Sequence, residues 1–123
     1  MGEYAKQEEQ LLPYLSPTTK LSLTDTEDIL FRILELKAEY EQWTPKSAKY
    51  FADRVQAFRV YIKRKKNVSN NFKEAAVNFT KALHQLGQRR AGQTSRVGDL
   101  REYILALNPI RELPWLLEKL DFL

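Results

Sequence analysis

The chain has one histidine, His84, and no cysteine, so few of its side chains can do chemistry of their own. A zinc site would have to take nearly every ligand from carboxylates, and neither a thiolate ligand nor a disulfide can form. Ser69 and Ser95 are the serines nearest His84 in the chain, but no spacing ties either to it as a nucleophile–base pair. Glu35, Glu39, Asp53 and Glu74 are of the type that paired acid–base catalysis uses. They fall on helical stretches, where carboxylates as a rule face solvent. Gly87 and Gly92 flank Arg89, Arg90 and Ala91, without the glycine spacing of a nucleotide-binding loop. The expectation is a protein that is not an enzyme and has no cofactor, no metal and no small-molecule substrate.

The chemistry that the sequence does supply is charge. The net charge is +4, distributed unevenly. Residues 1–43 hold four basic and nine acidic side chains, residues 44–96 thirteen and two, and residues 97–123 three and five. A middle region this one-sided repels itself and needs a counter-charge. Nucleic acid is one source. Arg59, Lys63, Arg64, Lys65, Lys66 and Lys73, with Arg89, Arg90 and Arg96 of a glycine-flanked loop, would neutralise phosphates in a salt-dependent way. Asn67, Asn70 and Asn71 add polar contacts, but no bidentate base reader stands out, so binding to DNA or RNA would be weakly sequence-specific. Tyr61 is the one ring expected to be exposed for stacking. A helix-turn-helix fits poorly, because positions that should be apolar in the second helix fall on Gln93 and Arg96. Four consecutive cations at a helix C-terminus also suit the helix dipole without any ligand.

An acidic or apolar protein surface is the other source. Glu35 and Glu39 lie on an acidic helix face. Trp115, Phe122 and Leu123 leave the last residues notably apolar, and such a stretch normally docks on something. The favoured expectation is a small accessory or adaptor protein that works through protein–protein contacts, within a nucleoprotein assembly or as a homodimer. The alternative is a backbone-reading nucleic-acid binder. The two separate on one point. Basic side chains paired with Glu35, Glu39 and Glu41 would make the charge segregation internal. A continuous exposed stripe from Arg59 to Arg96 would favour nucleic acid.

The elements that position these residues are helical. The centre is residues 51–86, where Phe51, Val55, Phe58 and Ile62, then Phe72, Ala76, Phe79, Leu83 and Leu86, recur every three or four positions. That spacing predicts two helices packed through aromatic seams, joined by the basic turn at residues 63–67. A helix before them starts at Thr24, whose hydroxyl and Glu27 have capping-box spacing. Its stripe of Ile29, Leu30, Ile33, Leu34, Leu36 and Tyr40 is broad enough to touch more than one neighbour. Thr44-Pro45 marks the start of the second helix, expected to run to about Lys65. Ser69 or Asn70 caps the third, with Gly87 as its C-cap. Ser95 is expected to cap a fourth over residues 96–107, and Pro109 to open a short fifth.

No alternating strand pattern or hairpin turn pair occurs. The fold expected is all-α, a compact single-domain bundle of four to five helices over residues 21–123. Residues 1–20 precede it as an arm or short helix, with Tyr4, Leu11, Leu12 and Leu15 as a weak apolar side, Pro13 as a break, and residues 16–20 as a linker. No apolar run approaches the roughly 18 residues of a membrane span. Lys6 stands where a myristoylation motif wants Ser or Thr. With no cysteine and no apolar signal core, the expected location is cytoplasmic, away from membranes.

Overall fold

The structure is a computed structural model that describes residues 24–93 and 98–123. Five helices pack as one all-α domain, with no strand among the described residues. They are α1 (Asp25–Glu41), α2 (Ala48–Arg64), α3 (Asn70–Arg90), α4 (Leu100–Ala106) and α5 (Leu113–Asp121), and a 3-10 turn (Pro45–Ser47) leads into α2. The arm expected over residues 1–20 lies outside the described residues.

The helix starts follow from local chemistry. The Thr24 hydroxyl accepts from the Glu27 N–H at 3.1 Å, and the Glu27 carboxylate accepts from the Thr24 N–H at 3.0 Å. That closes the capping box at the head of α1, where Asp25, Glu27 and Asp28 also complement the dipole. Ser69 caps α3 by accepting from the Phe72 N–H. At Thr44 the expected start is split: Pro45 begins a 3-10 turn, and α2 proper follows from Ala48.

The core is built around α3, which packs against all four other helices. Ile29, Ile33, Leu36 and Tyr40 of α1 and Phe51, Val55, Phe58 and Ile62 of α2 meet Ala76, Phe79, Ala82, Leu83 and Leu86 of α3. Leu100, Ile104 and Leu116 close the other side. Ala75, Ala76 and Ala82 are all buried, and their small side chains let neighbouring helices approach α3 closely.

Three boundaries differ from the expectation, each for a physical reason. First, α3 does not stop at Gly87 but runs on to Arg90. Its end is a Schellman closure, with the Gln93 N–H bonded to the Gln88 carbonyl and the Gly92 N–H to Arg89. Gly92 takes the left-handed conformation at φ 76°. Gly87 instead faces Phe51, whose ring would lie 3.4 Å from a Cβ at that position. Second, α4 is capped by Asp99, which accepts from the Glu102 N–H at 3.1 Å. The expected cap, Ser95, lies outside the described residues. Third, Pro109 does not open the last helix. The Asn108–Pro109 peptide is cis, and the Pro109 carbonyl accepts from the Asn78 side chain at 2.7 Å. The Arg111 N–H reaches the Ala75 carbonyl at 3.2 Å. These bonds hold the connection against α3, and α5 begins at Leu113 with Pro114 in its first turn, where a missing N–H costs little.

Gly87 generates a direct prediction. Gly87→Ala should stabilise the protein by about 0.5–1 kcal/mol, because a mid-helix glycine is replaced at ordinary contact distance from Phe51. Gly87→Val should destabilise by about 1–3 kcal/mol through overpacking against the ring. Urea unfolding of the two variants beside the wild type tests both signs.

Candidate functional site

The residues singled out for nucleic acid do not form one surface among the described residues. Arg59 turns inward, and its Nε donates to the Thr80 hydroxyl at 2.8 Å. Thr80 itself is fully buried and donates to the Val77 carbonyl at 2.6 Å. Burial holds the Arg59 pKa below its ordinary value. Lys65 reaches back across the bundle to Asp25 and Asp28 at 3.5 Å each. Its Nζ also lies 4.4 Å from the Tyr61 ring centre. Lys73 donates to the Lys63 carbonyl at 3.3 Å, and Arg89 donates to the Gly98 carbonyl at 3.0 Å. Arg90 donates to the Tyr40 carbonyl at 2.6 Å and sits 4.6 Å from the Tyr40 ring and 4.9 Å from the Trp43 ring. Arg96 lies outside the described residues. Lys63, Arg64 and Lys66 remain exposed at the α2–α3 turn.

Among the described residues each of the two expected charge arrangements forms only in part. Glu39 pairs with Arg54 at 3.1 Å and Glu41 with Lys119, neither of them among the cations singled out, whereas Asp25 and Asp28 at the head of α1 take Lys65. The stripe from Arg59 onward is broken where Arg59, Lys65 and Arg90 turn into the fold. The sequence signal for this was thin: a cation counts as basic wherever it points. Tyr61 is half-buried, not the open ring expected. It stacks with Phe58 at 6.3 Å between centroids, and the Arg32 guanidinium lies 4.1 Å from its centre.

The residues singled out for protein contact separate into two places. Glu35 is exposed and lines a groove between α1 and α2 with Arg32, Arg54, Ala57, Phe58 and Tyr61; the Glu39–Arg54 pair lies one turn further along α1. Trp115 is turned inward, edge-on to Tyr40 at 5.5 Å and tilted against Phe79 at 6.4 Å. Phe122 and Leu123 face out, 79% and 50% exposed. They border a cleft with Tyr40, Glu41, Arg90 and Lys119. There Lys119 bonds to Glu41 and holds its pKa below the usual carboxylate value. Sequence reasoning missed the exposed Tyr50, Val60 and Leu105, because isolated apolar residues on a helix give no signal apart from the core stripe.

His84 sits at the core's border, half-buried, with Nδ1 buried and unpaired. Burial first, and then the Arg59 charge, lower its pKa from the ordinary 6.5. Among the described residues no group of three or more His, Asp or Glu side chains is placed to hold a metal ion. No described helix is long and apolar enough to cross a membrane.

Two predictions follow from this geometry. Arg90→Met keeps the aliphatic stem but loses the guanidinium from the Tyr40 carbonyl and the two rings. It should cost about 2 kcal/mol in urea unfolding, whereas Lys66→Met should stay within about 0.5 kcal/mol. For His84, the folded pKa lies below the unfolded one, so the unfolded chain binds the extra proton first. The stability this gives is present above pH 6.5 and is lost as pH falls below it toward the folded value. Thermal melts at stepped pH should therefore show a decline below pH 6.5 that is shallower in His84→Gln.

Comparison with known proteins adds no relative to this picture: no family model, no curated protein and no solved structure matches the chain.

Proposed function

We propose that the protein is a non-enzymatic adaptor that binds another protein, with Phe122 and Leu123 at the end of α5 as the centre of the contact. The observation that carries this is the exposure of the Phe122 ring, at 79%, beside a cleft rimmed by Glu41, Arg90 and Lys119. An apolar centre with a polar rim is the usual anatomy of a protein interface. Burying a phenylalanine is worth about 1.5–3 kcal/mol. Arg90 and Lys119 are already held by the Tyr40 carbonyl and the Glu41 carboxylate. A partner meeting this rim therefore does not have to immobilise them. A reducing compartment such as the cytoplasm suits the cysteine-free chain.

The three cations at the α2–α3 turn favour a second reading, contact with a nucleic-acid backbone. Three phosphates neutralised give a slope of about −3 in log affinity against log salt, where nine would give about −8. That magnitude describes an auxiliary, non-specific contact better than a principal task. It is compatible with an adaptor that serves a nucleoprotein assembly.

The experiment is affinity capture by the tagged full chain from extract of its own cells, after nuclease treatment. Three forms run together: wild type, Phe122→Ser with Leu123→Ser, and Lys63→Gln with Arg64→Gln and Lys66→Gln. A protein retained stoichiometrically by the wild type and the turn variant, and lost at least tenfold by the Phe122/Leu123 variant, is the expected result. Capture that ignores Phe122 and Leu123, together with salt-sensitive binding of labelled RNA or DNA that collapses in the turn variant, would replace it with the second reading.

A further inference from the structure

Helix α1 carries apolar side chains on two opposite sides. Ile29, Ile33, Leu36 and Tyr40 are buried in the core. At about 100° per residue, Phe31 and Ala38 point roughly half a turn away from that face, with Leu34 beside them. The three recur at i, i+3 and i+7 and so form a ridge about 10 Å long. Leu34 is 59% exposed, Ala38 is exposed, and Phe31 is partly exposed. None of the three belongs to the core cluster or to the side chains packed against it. A helix whose only apolar contact were the core would carry charge on this side.

We propose that this ridge is the docking surface for the chain's own residues 4–15. Residues 1–23 join the described structure at Thr24, the cap at the head of α1. The ridge therefore begins about two turns from the point of attachment. The nine residues from Leu15 to Thr24 span up to about 30 Å. The whole of α1 as far as Ala38 is only about 21 Å from Thr24, so the tether reaches every part of the ridge. Within it, Ser16, Pro17, Thr18 and Thr19 are turn formers that suit a reversal of direction. The segment beyond brings Tyr4, Leu11, Leu12 and Leu15, the apolar payload that the ridge lacks. A short covalent tether holds such a segment at an effective concentration of about millimolar.

Charge separates this occupant from a second copy of the chain. Helix α1 has six acidic and two basic side chains, so pairing it with its own copy sets two strongly acidic helices together. Residues 1–15 carry three acidic side chains and one basic, and the repulsion is smaller. This surface lies on a different helix from the α5 end, and the two proposals stand or fall separately.

The test places a photoreactive benzophenone side chain at position 34 of the purified protein. Irradiation should give a cross-link within one chain, mapped by mass spectrometry to residues 4–15. A cross-linked dimer would overturn the proposal in favour of a second copy, and the absence of any link to residues 4–15 would overturn it outright. A second measurement compares urea midpoints of Leu34→Gln, of Leu11→Gln with Leu12→Gln, and of all three together. If the segment and the ridge touch, both sets lower the midpoint and the combined variant falls no further than the lower of the two. Additive shifts, or no effect of Leu11 and Leu12, contradict the contact.

Discussion

A helix that packs against neighbours on almost every side must find partners for its own polar atoms, and in this protein that constraint falls on α3. Asn78 and Thr80 are buried among its apolar side chains. An unpaired hydroxyl or amide there would cost about 1–3 kcal/mol. Asn78 is satisfied by the Pro109 carbonyl, which draws the α4–α5 connection onto the helix. Thr80 donates to Val77 and accepts from Arg59, which draws a cation inward from α2. The path of residues 107–112 and the partial burial of Arg59 thus share one cause.

The same logic disposes of much of the positive charge. Thirteen cations in residues 44–96 would repel one another if all faced solvent. Several are instead partnered with groups fixed by the fold: a hydroxyl for Arg59, a carbonyl and two rings for Arg90, and two carboxylates for Lys65. Asp25 also accepts from the Asn67 N–H at 3.4 Å, so the acidic head of α1 is pinned to the basic turn after α2. Exposed ion pairs are worth little one by one. Here they act chiefly to set the register of α1 against the α2–α3 hairpin, while burial of the aromatic seam supplies the stability.

Much of the fold was legible in the sequence. The Thr24–Glu27 spacing located the head of α1, and the period of Phe51, Val55, Phe58 and Ile62 fixed the inward face of α2. These are local signals whose physics acts within one helical turn. What failed depended on contacts distant in the chain. Gly87 has the composition of a helix end, but its role is set by Phe51, thirty-six positions earlier. Pro109 resembles a helix start, but Asn78 and Ala75 hold the chain around it in a connection. For the candidate site, residue type was readable and direction was not. Arg59 and Lys63 are one helical turn apart on α2, and only the presence of Thr80 beside one of them separates a packed side chain from a solvated one.

Of the outer ridge on α1, only Leu34 belonged to the stripe read from the sequence; Phe31 and Ala38 did not, and the ridge sets α1 apart from α2. On α2, the side opposite the core is mostly polar, with Lys49, Asp53 and Gln56 exposed, and Val60 is the one large aliphatic side chain exposed there. On α1, the corresponding side bears Phe31, Leu34 and Ala38. Helix propensity does not account for the difference, since glutamate or lysine would serve the helix as well as leucine and better than phenylalanine. Core packing does not account for it either, because these positions face away from the core. What remains is contact with a further apolar element. The sequence supplies one, in residues 4–15, attached at the end of the same helix.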